Sequence, residues 1–530
     1  MIDPLTGLQF PGNLVPTSRL DPIATQMLKD MLPLPNSGLN LVSPISQNLN
    51  DDQMTARVDH ELTSSNRLTV RYFYDKNLFQ RPFNAPPGFY ADNDFRNQSF
   101  LLKDSHVVSS NFLLTVQGSY SKFRRVQTPV APGMKGTQDY GAKAPQSIKT
   151  DFFPGVRFYA DPLFRLFSGG GLEQTPSTYD FHATAIYSKG RHNIQFGTDL
   201  QFDRLYVLDA SFTVGTWTFT GSRTGYLPAD IMMGLPFSFM QDSGRTIQLS
   251  ESKYHFWVQD DWKVSDRLTV NAGLRWEPWT PPTDTLNNLV GFVKGQQSTV
   301  APDAPLGMVY PGDSGIPTSL FSNDYSALAP RIGAAYDLFG TGKTILRGGY
   351  GIFYIDPALT IYTRTVSTQP SVLTVSLTNP YSLADPYNGV PGGNPYPFAR
   401  RDPSEFAAFK YVKPVSGGVL DPATKKGYSQ SWNLTLEQQV GRDLSLSLAY
   451  VANKGTNILG AMEMNPAIYG AGATTGNTNT RRTYAGMSAM EIATPYQRSN
   501  YNAIQIAATK RAAHGLTILS TYVYSVGKDN

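Results

Sequence analysis

The sequence predicts an all-β chain, an antiparallel transmembrane β-barrel with short turns at one end and long extracellular loops at the other. Three observations predict it. Apolar and polar residues alternate in runs of about ten residues, the period of two that gives a strand one oily and one polar face. These runs come in pairs joined by short polar turns, the pattern of a β-hairpin. The connections between pairs are long, several of about 50 to 70 residues, and rich in Pro, Gly, Asn, Thr and Tyr; such loops are uncommon in compact soluble domains.

The clearest strand lies in VSDRLTVNAGLRWEP (264–278). Leu268, Val270, Ala272, Leu274 and Trp276 are apolar, whereas Thr269, Asn271, Gly273, Arg275 and Glu277 are polar or tiny. Its partner precedes the turn at Ser265–Arg267, with Tyr254, Phe256 and Val258 on the apolar side. Six more hairpins follow the same rule. In chain order, Ala56, Val58 and Leu62 lead to Leu68, Val70, Tyr72 and Tyr74; a run through Leu102 leads to Phe112, Leu114, Val116 and Tyr120. Phe181, Ala183, Ala185 and Tyr187 lead across Lys189–Gly190 to Ile194 and Phe196. Beyond 264–278, Ile332 to Leu338 pairs with Leu346 to Ile352, and Trp432 to Val440 with Leu444 to Tyr450. Ile504 and Ile506 lead across Ala512–Gly515 to Leu516, Ile518, Tyr522 and Tyr524. Seven hairpins make fourteen strands, each about the length that crosses a bilayer when tilted.

In lipid every backbone N–H and C=O must be paired within the protein, so a spanning sheet has to close on itself. On this reading Leu68, Val70, Tyr72, Leu268, Val270, Leu274, Trp276, Leu434, Leu436, Leu446 and Leu448 face lipid. Asn271, Arg275, Glu277 and Arg347 face the lumen. Trp257, Trp262, Trp276, Trp279, Tyr72, Tyr74, Tyr350, Tyr354, Trp432 and Tyr450 fall at or near strand ends, where interfacial aromatic girdles sit.

Composition agrees. Of 530 residues, 29 are Tyr, 29 Phe and 6 Trp, and Gly (46) and Pro (38) supply turns. A net charge of +4 without a Lys/Arg block argues against nucleic acid as a partner. The absence of cysteine removes disulfides and thiolate metal sites. No apolar run reaches the roughly 18 residues of a membrane-spanning helix. The residues after Met1, IDPLTGLQFPGN, lack the basic start and apolar stretch of a signal peptide.

Chemical motifs dissolve on inspection. In GTGKT (340–344) the first glycine of a phosphate loop would be residue 337, which is Asp, and the following residues alternate like a strand. The histidines His60, His106, His182, His192, His255 and His514 show no helical metal-ligand spacing, although His182 and His192 could meet across one hairpin. Asp260–Asp261 has no accompanying nucleophile or base and reads as a solvated turn flank. No catalytic, metal or cofactor residue is expected, and the chain is not expected to be an enzyme. FFPGVRFYADPLFRLF (152–167) reads either as a ligand-contacting loop or as a loop that folds on its neighbours.

Several stretches in order carry a family resemblance. They include IDPLTGLQFPGNLVPTSRLDPIATQMLKDMLPLPN (2–36), MTARVDHELTSSNRLTVRYFY (54–74), FWVQDDWKVSDRLTVNAGLRWEP (256–278), APRIGAAYDLFGTGKTILRGGYGIFY (329–354) and YSQSWNLTLEQQVGRDLSLSLAYVANKGTNI (428–458). RHNIQFGTDLQF (191–202) and TGYLPADIMMGLP (224–236) match as well. The chain resembles the barrel of TonB-dependent outer-membrane receptors of the Oar-like group. The resemblance implies an importer in the bacterial outer membrane, filled by a plug and coupled to a TonB-type energy-coupling protein through an N-terminal region. It implies outer-membrane lipid as surroundings and an extracellular ligand, a carbohydrate, peptide or siderophore. Barrels of such transporters have about 22 strands, and this chain shows fourteen. It therefore reads as a fragment: a plug-to-barrel connecting segment over 1–50 and a partial barrel over 51–530, incomplete at its C-terminus. Rival readings are a surface adhesion protein that imports nothing and a secreted carbohydrate-binding protein.

Overall fold

The structure, a computed structural model, describes residues 1–44, 46–148, 153, 155–365, 367–398, 402–474, 476–513 and 515–530. Fourteen long strands form one antiparallel meander. The first six are β1 (Leu49–Thr63), β2 (Asn66–Pro82), β3 (Tyr90–Ser109), β4 (Phe112–Val130), β5 (Leu172–Lys189) and β6 (His192–Asp209). Next come β7 (Arg245–Lys263), β8 (Leu268–Trp276), β9 (Leu328–Asp337) and β10 (Thr344–Ile355). The last are β11 (Gly427–Val440), β12 (Leu444–Glu463), β13 (Met487–Ala513) and β14 (Leu516–Asp529). Each pairs with the strand before and after it. Among the described residues β1 pairs only with β2 and β14 only with β13.

All seven expected hairpins are present, with their short turns at one end of the sheet. The 340–344 segment is one of these turns. The Asp337 carboxylate accepts the backbone N–H of Gly340 (3.0 Å) and Gly342 (2.7 Å), whose positive φ of 71° and 70° only glycine adopts without strain. The sequence underestimated strand length. The strands run from 9 to 27 residues, because the hydrogen-bonded ladder continues beyond the alternating stretch. Apolar alternation marks the oily face, whereas hydrogen bonding marks where the strand is.

Register keeps the apolar residues on one continuous face. Val58 pairs with Val70 and Val70 with Leu102; Phe196 pairs with Val258 and Val258 with Leu274. Leu346, Leu436, Leu448, Ile506 and Tyr522 continue this face across the later strands. Leu434 is 54% exposed and Phe181 52%, with Phe196, Val258, Leu274, Leu448 and Ile506 also exposed. A band of large exposed apolar side chains this wide needs a covering phase other than water. Trp262, stacked on His192 at 5.3 Å, and Trp276, stacked on Phe256 at 5.8 Å, edge the band. Two expected girdle residues sit elsewhere. Trp257 lies on the opposite face, opposite Gly197 in register, where it covers the glycine backbone. Trp279 is buried in a loop core against Phe321.

The long connections fold into a layer over the far end of the sheet. Its largest core combines helix α1 (Pro22–Met31) with Phe89, Phe158, Trp217, Phe239, Leu373 and Tyr387. Asp21 caps α1 by accepting from the Ala24 N–H at 2.8 Å, and Ile23, Ala24, Met27 and Met31 form its buried stripe. Short strands from three connections, Arg157–Ala160, Phe164–Phe167, Thr216–Thr218, Ser238–Asp242 and Thr374–Thr378, form a second sheet within this layer.

Candidate functional site

The polar face of the sheet carries a chain of linked charges. Arg275 on β8 is its centre. Its Nη1 donates to Asp199 (3.0 Å), its Nε to Glu277 (2.7 Å) and its Nη2 to His255 Nδ1 (2.8 Å). Asp199 also holds His182 Nδ1, and Thr184 shares a hydrogen bond with His182 Nε2 at 2.7 Å. Lys426, from the connection before β11, is almost fully buried and lies 2.8 Å from Asp356 and 3.6 Å from Glu277. One step along the strands, Lys253 meets Asp203 at 3.0 Å and Glu251 at 3.4 Å. Thr178 and Gln201 donate to the same Asp203. Strand pairing fixes these partners: His182 lies opposite Asp199, and Asp199 opposite His255.

Asn271, Arg275, Glu277 and Arg347 all fall on this polar face. Asn271 donates to Asp261, and Arg347 lies 3.3 Å from Glu437. The eleven residues read as lipid-facing fall on the other face; nine have apolar residues or glycine opposite them, whereas Leu68 lies opposite His60 and Asp104 and Leu446 lies opposite Gln438. His182 and His192 do not meet. Lys189 pairs with His192 while His182 pairs with Asp199, and His192 Nδ1 instead reaches Asp260 at 2.6 Å. His514 lies outside the described residues. Sequence reading missed Asp199, Lys253, Asp356 and Lys426 and gave His255 no partner, because their partners come from other hairpins or from a loop without periodicity. The one available signal was a shared strand face for Lys253 and His255.

Above the charged wall stands the loop layer. Most of the 152–167 stretch folds on its neighbours: Phe158 and Leu166 are fully buried, and Arg157 packs over Phe212 at 4.3 Å and Phe167 at 4.9 Å. Phe152 lies outside the described residues. Gln241 ties three connections together, donating to Pro145 O and Thr213 O (both 2.8 Å) and accepting from Tyr387 Oη (2.8 Å). Tyr396 Oη donates to Gln241 O and Leu373 O. Burial raises the Tyr387 and Tyr396 hydroxyls well above the usual phenol range.

Beside them, burial pushes the Asp242 carboxyl up to about 6, against the pull of Arg245 at 3.5 Å and the Gly244 N–H at 2.9 Å. A carboxyl whose folded pKa lies above its unfolded value stabilises the fold below the unfolded pKa, and that contribution is lost as pH rises through the folded one. Asp242→Asn should therefore leave loop-layer stability unchanged near pH 4 and raise it by on the order of 2 kcal/mol at pH 7 to 8. Urea unfolding of the micelle-refolded chain, followed by tryptophan fluorescence, checks this; a pH-independent difference contradicts it.

Residues 1–530 match a family model described as the outer membrane beta barrel domain. Among solved structures, the chain is similar to the outer membrane transporter YddB from Escherichia coli (9% identity, TM-score 0.53), covering 92% of this chain and 50% of that one. It is also similar to the ferripyoverdine receptor of the outer membrane of Pseudomonas aeruginosa (11% identity, TM-score 0.46, 91% and 50% covered). The FrpB iron transporter from Neisseria meningitidis matches at 10% identity and TM-score 0.46, with 91% and 54% covered. The chain thus spans about half the length of these structures. No curated protein sequence matches it.

Proposed function

Because the chain belongs to the outer membrane beta barrel domain family and so resides in the outer membrane, we propose that it forms the wall and outer loops of a ligand-importing receptor of the TonB-dependent, Oar-like kind. The apolar face of β1–β14 meets lipid and the Arg275 face lines the lumen. The loop layer receives the ligand outside, and the charged wall conducts it inward. A TonB-type partner supplies the energy through a region beyond this chain. The protein performs no chemistry on its cargo.

One observation carries the reading. A sheet with one exposed apolar face has on its other face a chain of paired charges from Lys426 through Arg275 to His182, under a packed loop layer. A wall of mixed charge favours a polar ligand, because it offers both donors and acceptors without a single-sign trap.

The test uses cells expressing the full-length protein, given in turn a ferric siderophore, a fluorescent oligosaccharide and a fluorescent peptide. Accumulation of one probe that stops when the TonB-type coupling protein is deleted is the expected result. Surface binding of a probe that deletion leaves unchanged would favour adhesion over import.

A further inference from the structure

The seven short turns are bonded to one another. The Val107 N–H donates to Ser65 O (2.7 Å) and the Ser188 N–H to Asn111 O (2.9 Å). Further along, the Lys263 N–H donates to Arg191 O (2.9 Å) and the Asp337 N–H to Arg267 O (2.9 Å). The Gln439 N–H donates to Lys343 O (2.7 Å) and the Arg511 N–H to Asp443 O (2.8 Å). The turns therefore form one continuous rim, each held by the next. With neighbouring strands about 4.8 Å apart, successive turns stand about 10 Å apart along it.

Charge is spread unevenly over this rim. The first two turns, 63–66 and 109–112, carry no charged residue. The five later turns, 189–191, 263–267, 337–343, 441–443 and 510–515, carry eight Lys and Arg against three Asp, a larger positive excess than the net +4 of the whole chain. The three carboxylates neutralise little of it. Asp337 is held by the N–H groups of Gly340 and Gly342. Asp266 and Asp443 stand 3.9 Å from Arg191 and Lys510, at the limit of an ion pair. Among the described residues Lys189, Lys263, Arg267, Lys343, Arg442 and Arg511 make no ion pair within 4.0 Å, and all six are exposed. Unpaired like charges fixed on a stiff rim create a positive potential that a polyanion relieves.

We propose that this rim docks on the cell-wall polymer beneath the outer membrane, a glycan whose peptide side chains bear free carboxylates. Lys and Arg are donors suited to carboxylate oxygens, and cations repeated from turn to turn suit a polymer better than one small anion. A lipid surface fits less well. Lys189 follows the apolar face of β5 after Tyr187, whereas Lys263 follows the polar face of β7 after Asp261. The cations thus gather at the strand ends and not on the lipid-facing side alone. The contact anchors the barrel to the wall without a dedicated domain. The proposal rests on the placement of the short turns on the inner side of the membrane.

The test mixes the detergent-solubilised full-length protein with insoluble cell-wall sacculi and measures the fraction that sediments. Wild type should sediment with them and be released by about 0.5 M sodium chloride, which confines electrostatic attraction to a few ångströms. Lys189→Gln/Lys343→Gln/Arg442→Gln should bind about tenfold more weakly, the combined loss of three modest exposed contacts. Their side chains make no ion pair, so strand circular dichroism should not change. Lys294→Gln/Lys410→Gln/Lys425→Gln removes as much charge from exposed positions in the long connections and should bind as wild type does. Sacculi with amidated carboxylates should hold wild type as weakly as native sacculi hold the rim variant. Undiminished binding by the rim variant, or full binding to amidated sacculi, overturns the contact. Equal loss in the loop variant overturns its location. Retention on phosphatidylglycerol vesicles with none on sacculi would give the rim to a lipid surface and overturn the polymer. Orientation is read separately. This chain has no cysteine, so an impermeant maleimide should label Ser110→Cys only after the outer membrane is opened. Labelling on intact cells would overturn the placement of the turns, and with it the inner partner.

Discussion

Trp217→Ala should destabilise the loop layer by about 3–5 kcal/mol, the usual cost of removing a large buried aromatic side chain and leaving its cavity. Trp217 is fully buried, and its ring lies 4.3 Å from that of Phe239. It belongs to one core with Phe158, Ile231, Leu373 and the α1 residues Ala24 and Met27. Those residues come from three separate stretches of chain besides its own, so the cavity cannot be closed by one loop moving in. The long strands do not run through this core, since they pair with one another along the meander and the short strands around Trp217 form a separate sheet. The expected signature is therefore split: rapid proteolysis within 131–171 and 210–244, with strand circular dichroism intact. Trp217→Phe separates packing from polarity. Its Nε1 has no hydrogen-bond partner among the described residues, so phenylalanine keeps much of the volume and removes a buried unpaired donor. This variant should lose far less than the alanine form. Equal losses in both would place the effect outside packing.

Leu274→Arg should cost about 2–4 kcal/mol when the chain is refolded into lipid vesicles, the penalty for a cation facing hydrocarbon near the bilayer centre. Leu274 is 44% exposed and sits between Val258 and Pro330 in register, between the levels of Trp262 and Trp276. Asn271→Arg, three residues away on the other face, should cost little, because its new guanidinium meets Asp261 and water. Guanidinium titration in vesicles reads both. A similar penalty at both positions, or a larger one at Asn271, would reverse the two faces.

The membrane-crossing part of this architecture was legible in the sequence because alternation and turn chemistry are local. Leu268 to Trp276 and its thirteen counterparts each announce a strand, and short polar turns announce which strands pair. The Asp337–Gly342 turn was recognisable from glycine placement alone. Trp257 and Trp279 were misjudged for a physical reason. An aromatic near a strand end serves equally well as a girdle, as a cover over a glycine or as a loop core, and only the register or the tertiary fold tells them apart. Arg275 and Glu277 were legible as polar-face residues, but their partners were not. Lys426 reaches Glu277 across 149 residues of chain, and no period links such positions. The loop layer was the least legible part, because residues such as Trp217, Leu373 and Tyr387 obey no repeat and are buried only by one another.

The knitting of that layer has a consequence for how it opens. Gln241 bonds to three connections at once, and the aromatic core spans four connections and α1. Amide hydrogens across 137–145, 213–219, 238–242 and 373–387 should then exchange with one shared opening free energy, as a single foldon. A cap of this kind opens as one unit with a threshold and not as a set of independent fingers. Any substitution that loosens one connection shifts the opening equilibrium of all the others.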